Sequence, residues 1–271
     1  MERSRAAPSA GELKPPSAIE SEIDARLLQA RVSDALFGSS AKATAPLTLG
    51  RFTILDRLGS GAMGTVYAAF DPERGANVAL KLLTRTDAIG VYRIKREFRS
   101  LSRLAHPNLV TLHELFQAHG CWFFSMQLVP GVRFDDWIRG AEPSQREARL
   151  RAMTLQLARA VGAIHDAGKL HCDLKPSNVR VTPEGRVVVL DFGLVSESSL
   201  AGEGHSSPIE IAGTPGYMAP EQAAGKPPTT ASDWYAVGVM LFEALTGRLP
   251  FAGTPSQIIA DKQRLDAPDP R

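Results

Sequence analysis

The chain has 271 residues, of which 44% are apolar and 22% are charged, and its formal net charge is +2. This length and composition allow one or two domains with a buried core, and the near-neutral charge gives no sign of a nucleic-acid partner. The longest apolar run, Trp234 to Phe242, holds nine residues, whereas a membrane span needs about 20. The two cysteines lack the spacing of a zinc site or a disulfide framework, which is typical of a reducing compartment. We therefore expect a soluble, cytoplasmic chain without a membrane segment.

The first 49 residues differ from the rest in composition and in sequence pattern. Residues 1–18 are rich in Ala, Pro and Ser and are predicted to be disordered. Over residues 19–49 the pattern predicts a short amphipathic helix from Ile19 to Phe37, followed by a linker of small residues. The sequence leaves open whether this helix docks on the following domain, docks on a partner or stays undocked.

From Gly50 onward the patterns predict strands first and helices later. Strands are predicted at 52–55, 65–70, 77–83, 109–116, 122–128, 179–181 and 187–190, and helices at 91–104, 146–167 and 232–246. A strand-rich first part, 50–129, followed by a helix-rich second part, 130–271, indicates an α+β fold of two packed subdomains.

A glycine motif lies between the first two of these strands. Gly59, Gly61 and Gly64, followed by Val66, have a spacing that also serves dinucleotide-binding folds. In those folds a helix follows the glycines, whereas here the β-favouring segment 65–67 follows. This context excludes a nicotinamide-dependent oxidoreductase and favours a hairpin that folds over phosphates, with a simple glycine-rich turn as the alternative.

One lysine ends an otherwise apolar strand. Lys81 follows Val78, Ala79 and Leu80, and Glu97 lies on the predicted helix that comes next. A lone strand lysine is commonly a solvated edge residue. Buried charges need partners, however, and a lysine anchored by Glu97 is able to hold phosphate oxygens.

The segment His171-Cys172-Asp173-Leu174-Lys175-Pro176-Ser177-Asn178, followed by Asp191-Phe192-Gly193, resembles the catalytic loop and magnesium motif of eukaryotic-type (Hanks-type) protein kinases. The resemblance runs in order from Gly59 through Lys81 and Glu97 to Ala219-Pro220-Glu221 and Asp233, and covers roughly residues 51 to 265. It implies a two-lobed kinase fold, with an N-lobe at 50–129 and a C-lobe at 130–271. The residues Met218 to Gln222 resemble bacterial members, which suggests a role in bacterial signal transduction.

The resemblance also assigns roles to individual residues. It implies that Asp173 orients or accepts the proton of the substrate hydroxyl, that Lys175 neutralises the γ-phosphate, and that Thr214 bridges these two. Asn178 and Asp191 would hold Mg²⁺. The residues assigned to ATP are Leu58, Gly59, Gly61, Gly64, Val66, Ala79, Lys81, Glu97, Met126, Gln127, Val129 and Arg180. The lysine at position 175 is similar to serine/threonine kinases rather than tyrosine kinases, so the expected partner is a protein with serine or threonine hydroxyls.

Two residues depart from the family pattern. Cys172 stands where many members have an arginine that receives an activation-loop phosphate, so we expect weak dependence on phosphorylation of the loop; a redox role for its thiol is the alternative. Arg180 stands where an apolar side chain usually lies under the adenine. It would either stack on the base or turn towards Asp135 or Asp136.

The end of the chain is a third departure. The family usually adds several helices after the one ending at Thr246, with an arginine that pairs with Glu221, and the sequence shows no such helices. We therefore expect an incomplete C-lobe, an unpartnered Glu221 and a helical surface that a missing C-terminal region or a partner would cover. The alternative function is a truncated pseudokinase or nucleotide-binding interaction module without phosphoryl transfer.

Overall fold

The computed structural model describes residues 18–37, 46–61, 64–83, 88–191 and 214–270. The chain divides into two compact units. The sheet unit comprises Met1–Thr86 and Glu114–Met126, and the helical unit comprises Asp87–His113 and Gln127–Arg271. Most of the predicted disordered segment, 1–17, and linker residues 38–45 lie outside the described residues. Across the described ranges, no helix has the length and apolarity to cross a membrane.

A six-stranded sheet forms most of the sheet unit. Its strands are β1 (Thr48–Leu49), β2 (Phe52–Gly61), β3 (Gly64–Asp71), β4 (Ala76–Leu83), β5 (Leu112–Ala118) and β6 (Cys121–Gln127), in the order β1-β2-β3-β4-β6-β5. Strands β2, β3 and β4 pair antiparallel in sequence, as hairpin-connected strands do. The predicted strands at 52–55, 65–70 and 77–83 are therefore confirmed, although β2 runs on through the first two glycines.

Alternating apolar residues build the core of this sheet. Phe52, Tyr67, Leu80 and Phe123 are fully buried and belong to one cluster. The rings of Phe52 and Phe123 meet edge to face with centroids 6.0 Å apart, a favoured aromatic geometry. The period-two pattern that predicted the strands thus also places one face of each strand in the core.

The N-terminal helix α1 (Ala18–Phe37) docks on this sheet. Ile23 is 2% exposed and joins the core cluster with Phe52 and Tyr67. Asp24 accepts a hydrogen bond from the Tyr67 hydroxyl at 3.0 Å and forms an ion pair with Arg57 at 3.0 Å. Burial, helped by Asp24, raises the pKa of Tyr67 above its usual range. Of the three states that the sequence left open for this helix, the structure has it docked on the domain that follows.

The helical unit contains a small sheet and most of the helices. Its elements are α2 (Ala88–Leu101), β7 (Val132–Arg133), α3 (Phe134–Arg139), α4 (Pro143–Asp166), a 3₁₀ turn (Pro176–Asn178), β8 (Val179–Val181), β9 (Val187–Val189), α5 (Pro220–Ala223), α6 (Thr230–Thr246) and α7 (Pro255–Arg264). Strands β7, β8 and β9 pair antiparallel in that order. Together the two units confirm the predicted α+β protein kinase fold.

Helix α4 organises the interior of the helical unit. Leu157, Val161 and Ile164 lie three and four residues apart, which puts them on one face of the helix, and all three are fully buried. This face contacts β9, α3 and α6. The loop that follows α4 therefore begins at a helix with a buried face.

The prediction that no helix follows the one ending at Thr246 is wrong, because α7 covers Pro255–Arg264. Thr254 is its N-cap and accepts a hydrogen bond from the Gln257 amide, while the Gln257 side chain accepts from the Thr254 amide. This reciprocal capping box, with proline at the first helical position, is a sequence signal that would have revealed the helix.

The docking of α1 gives a direct stability test. We expect Ile23→Ala to lower the free energy of unfolding by about 2 kcal/mol or more, because it leaves a cavity in the core of the sheet unit. Leu28→Ala on the same helix is the matched control; Leu28 is 64% exposed, and its truncation should change stability by no more than about 0.5 kcal/mol. Chemical denaturation measures both. Equal effects at the two positions would contradict the docked helix.

Candidate active site

The loop from His171 to Asn178 is held in place by one buried carboxylate. Asp233, on the first turn of α6, is 2% exposed. Its Oδ2 accepts a hydrogen bond from the His171 amide and its Oδ1 accepts one from the Cys172 amide, each at 2.9 Å. His165 Nε2 lies 2.9 Å from Oδ2 and must donate, since a carboxylate only accepts. Three donors from α4 and the loop therefore converge on a single side chain, near the positive end of the α6 helix dipole.

His171 connects this loop to the strand that precedes Asp191. Its Nε2 lies 2.9 Å from the Leu190 carbonyl oxygen, so that nitrogen carries the hydrogen. The other ring nitrogen, Nδ1, then accepts from the Asp173 amide at 3.3 Å. This tautomer uses the donor and the acceptor of a neutral imidazole, and the ring is 2% exposed.

The predicted catalytic residues lie together. Lys175 Nζ is 2.7 Å from Asp173 Oδ2 and donates to the Thr214 hydroxyl at 3.0 Å. Asn178 Nδ2 donates to the Asp173 backbone oxygen at 2.8 Å and to Asp173 Oδ2 at 3.2 Å. The Asp173 carboxylate is thus fixed by a cation and an amide donor. Thr214 reaches the same cluster from a distant part of the chain.

Asn178 and Asp191 are suited to a hard divalent cation. Because the amide nitrogen of Asn178 is occupied by Asp173, its amide oxygen is the atom that remains for a metal. The Asn178 carbonyl oxygen accepts from the Leu190 amide at 2.8 Å, which ties it to the residue before Asp191. Within the described ranges no cluster of three or more His, Cys, Asp or Glu residues forms a cage. Two protein oxygen ligands are enough for Mg²⁺, because this ion usually keeps several water ligands and also binds substrate phosphates.

Glu97 lies on α2 and is 4% exposed. Within the helical unit, Lys169 Nζ is 3.4 Å from Glu97 Oε2, and Arg96 Nη2 is 3.8 Å from Oε1. The contact with Lys169, which lies in the turn after α4, was not predicted from the sequence. Lys81 belongs to the sheet unit, and its expected pairing with Glu97 stays a prediction.

The glycine motif forms the predicted hairpin. Strands β2 and β3 pair with Gly59 opposite Val66 and Gly61 opposite Gly64. Gly64 has a φ of +127°, and a Cβ there would lie 1.8 Å from the Leu82 carbonyl oxygen, so the fold itself requires glycine. At Gly59 and Gly61 a Cβ would meet open space. Their lack of a side chain is therefore unexplained by packing and leaves room for a bound group such as a phosphate.

The other nucleotide residues predicted in the sheet unit lie on strands of the same sheet. Lys81 is 4% exposed and pairs across the sheet with Val66. Ala79 and Met126 are buried, whereas Leu58 is 46% exposed beside the glycines. An exposed leucine at this position is free to cover a ligand.

Arg180 contacts the backbone of the helical unit, and its stacking on the base stays a prediction. It sits in β8 opposite Arg133, and its Nη1 donates to the Gly131 carbonyl oxygen at 3.3 Å. The turn towards Asp135 or Asp136 is wrong, because Arg133 and Arg139 pair with those carboxylates. Gln127, the last residue of β6, and Val129, which follows that strand, are partly buried. The Gln127 amide donates to the Thr111 carbonyl.

Glu221 does have a partner. The prediction that this carboxylate is unpartnered is wrong, because the Ser232 hydroxyl donates to Glu221 Oε1 at 2.5 Å. Ser232 is 1% exposed and also accepts from the Thr229 amide at 2.9 Å. A short polar side chain at the start of α6 therefore satisfies this carboxylate in place of a distant arginine.

The Cys172 thiol is poorly suited to redox chemistry. The residue has a φ of +66°, one of three positive values among the described non-glycine residues. Burial raises the pKa of Cys172 to about 12, and the nearby carboxylates of Asp233 and Asp173 add to the shift. Since the thiolate is the reactive form, these surroundings suppress oxidation and alkylation. Residues 192–213, where the expected weak dependence on phosphorylation would be tested, lie outside the described residues.

We expect Cys172 to react slowly with iodoacetamide in the folded protein. A pKa of about 12 in place of 9.0 lowers the thiolate fraction near neutral pH by about 1,000-fold, and the rate should rise about tenfold per pH unit between pH 7 and 9. Peptide mass mapping separates Cys172 from Cys121. A folded-state rate at Cys172 within tenfold of that in the urea-unfolded chain would contradict the suppressed thiolate.

Comparison with known proteins agrees with this geometry. Residues 52–267 match the protein kinase domain family. The chain is 35% identical over 216 residues to the serine/threonine-protein kinase PrkC of Bacillus subtilis, covering 79% of this chain and 33% of that protein. It is 34% identical over 219 residues to the probable serine/threonine-protein kinase PknB of Lactococcus lactis (78% and 34%), and 36% identical over 223 residues to pkn3 of Myxococcus xanthus (79% and 41%). The chain thus spans a third to two-fifths of the length of these relatives, and it belongs to the protein kinase family, among the bacterial serine/threonine kinases.

Proposed function

We propose that this chain transfers the γ-phosphoryl group of ATP to serine or threonine hydroxyls of protein substrates in bacterial signalling. The observation that carries the proposal is the cluster of Asp173, Lys175, Asn178 and Thr214, in which each polar contact is 3.2 Å or shorter. Phosphoryl transfer depends mainly on positioning and on neutralising charge, and this cluster supplies fixed groups for both.

Asp173 is the proposed base. Its contacts with Lys175 and Asn178 both fall on Oδ2, which leaves Oδ1 to accept the proton of the substrate hydroxyl. The loop beneath it is anchored by Asp233 and His171, so the carboxylate does not need to reorganise. Fixed donors and acceptors of this kind lower the reorganisation that a reaction requires.

Lys175 supplies a positive charge beside the base. Its ammonium group bridges the Asp173 carboxylate and the Thr214 hydroxyl, so it holds two segments that are 39 residues apart in sequence. We propose that the same ammonium neutralises the transferring phosphoryl group. Thr214 completes the cluster. The residues Gly213-Thr214-Pro215-Gly216-Tyr217 resemble the loop of the family that seats the residue after the phosphoacceptor, and we propose that this segment binds the protein substrate here.

The protein kinase family generally uses ATP and Mg²⁺. We propose that Asn178 and Asp191 hold the metal through oxygen atoms, where it would neutralise phosphate charge. In the sheet unit, we propose that Lys81 and the backbone amides of the hairpin at Gly59 and Gly61 hold phosphate oxygens. The residues proposed to contact the base there are Leu58, Val66, Ala79 and Met126. Gln127, Val129 and Arg180 of the helical unit complete the proposed nucleotide residues, with Glu97 as the proposed support of Lys81.

The alternative is a kinase-shaped module that binds nucleotide without transferring phosphate. The intact Asp173 cluster argues against it, since a binding module has no use for a positioned base. A cytoplasmic location stays a prediction from cysteine usage, and so does a missing C-terminal region or partner that covers the helical unit.

The decisive experiment is magnesium-dependent transfer of labelled phosphate from ATP to a generic serine- and threonine-rich protein. We expect transfer by the parent chain, its loss on chelation of the metal, and a fall of about 100-fold or more in Asp173→Asn, because the amide cannot accept the proton. Nucleotide affinity should stay within a few-fold in this variant.

Asp266→Asn, on the exposed segment after α7, is the matched control and should transfer phosphate at the parental rate. Nucleotide binding by the parent chain without any transfer would favour the pseudokinase module. Equal transfer by the parent and Asp173→Asn would remove Asp173 from the role of base.

A further inference from the structure

Lys262 is a buried cation that the proposed mechanism does not use. It lies on α7 one turn after Ile258, and these two are the buried residues of that helix. Lys262 is 5% exposed, and its Nζ lies 5.3 Å from the centre of the Tyr235 ring on α6. A buried ammonium group is costly unless its donors are satisfied.

All three donors of Lys262 are satisfied by one short segment. Its Nζ donates to the backbone carbonyl oxygens of Pro215, Gly216 and Met218, each at 2.7 Å. An ammonium group has three N–H bonds around a single nitrogen, so three converging carbonyls match its full capacity. Burial alone lowers the pKa of Lys262 to about 8, and the three acceptors oppose this shift by favouring the charged form.

The segment that Lys262 holds begins at the catalytic cluster. The Tyr217 and Met218 amides both donate to the Thr214 carbonyl, at 2.9 and 3.3 Å, which closes a compact turn. The Thr214 hydroxyl accepts from Lys175, and the Tyr217 hydroxyl donates to Glu243 Oε2 on α6 at 2.5 Å. The turn is therefore held at Thr214 by the catalytic loop, at Tyr217 by α6 and along its carbonyls by Lys262.

We infer that Lys262 is a positioning residue for protein-substrate binding, acting by fixing the backbone of residues 214–218. This inference rests on the proposed function, in which that segment seats the residue after the phosphoacceptor. Without the ammonium group, three carbonyl oxygens would lose their shared donor, and the turn would have to rearrange or admit water. The effect should fall on the affinity for the protein substrate, because Asp173 keeps Lys175 and Asn178 and the nucleotide residues of the sheet unit are unchanged.

The test compares Lys262→Met, which keeps the apolar stem, with Arg264→Met, which removes an exposed charge from the same helix. In steady-state transfer to a serine-containing peptide, we expect Lys262→Met to raise the peptide KM about tenfold or more. Its kcat should change by less than about threefold, and its ATP affinity by less than about twofold. Arg264→Met should match the parent chain in all three constants.

A second readout does not depend on activity. Amide hydrogen exchange at Tyr217 and Met218 should accelerate in Lys262→Met, while exchange in β8 and β9 stays at the parental rate. This readout separates the inference from the proposed function. If the parent chain transfers no phosphate but exchange at Tyr217 and Met218 is faster in Lys262→Met than in the parent, the proposed function fails while the positioning of the segment by Lys262 is supported. Should Lys262→Met not fold, Lys262→Gln, with a neutral amide that retains two donors, should show a smaller change in the same direction.

Two results would overturn the inference. One is an unchanged peptide KM together with unchanged exchange at Tyr217 and Met218. The other is an equal loss of ATP and peptide affinity with accelerated exchange throughout the helical unit, which would show that Lys262 serves general stability.

Discussion

The helical unit depends above all on the buried carboxylate of Asp233. It accepts the backbone amides of two consecutive loop residues and the ring nitrogen of His165, so it joins α4, α6 and the catalytic loop at one point. A loop with a positive φ at Cys172 does not form from local preference, and something must hold it there. Hydrogen bonds to a charged acceptor contribute about 1.5–3 kcal/mol each, which is enough to fix such a conformation.

The positions of the proposed functional groups depend on Asp233 through a short series of hydrogen bonds. His171, held through its amide, relays the fixed geometry to the Leu190 carbonyl through one ring nitrogen and to the Asp173 amide through the other. Asp173 is in turn fixed by Lys175 and Asn178, and Lys175 extends the cluster to Thr214. The proposed base, the proposed metal ligands and the substrate segment are thus positioned by a continuous series of hydrogen bonds that starts at a side chain outside the chemistry.

Much of the fold and of the candidate site was predictable from sequence because it follows from local patterns. Alternating and helical periodicity located the strands and the long helices. The motif around Asp173 identified the family and the proposed catalytic residues, which the structure brings together. The glycine hairpin was predictable for a similar reason, since the β-favouring residues after Gly64 are adjacent to it in the chain.

The features that were missed depend on contacts between distant positions. Nothing near Lys262 in sequence shows that three carbonyls some 45 residues away will surround it, and its helix was overlooked although Thr254 and Gln257 cap it. Ser232 supplied a partner for Glu221 where a family pattern suggested only an arginine, and Lys169 reached Glu97 from 72 residues away. The docking of α1 was left open for the same reason, because the Tyr67 hydroxyl that donates to Asp24 lies 43 residues away in sequence.

The central claim is that Asp233 holds the catalytic loop in its working conformation. Residue-resolved amide hydrogen exchange in the parent chain and in Asp233→Asn tests it most directly. The account predicts strong protection of the His171 and Cys172 amides in the parent, and loss of that protection in the variant while the amides of β8 and β9 remain protected. Unchanged protection of His171 and Cys172 in Asp233→Asn would contradict it.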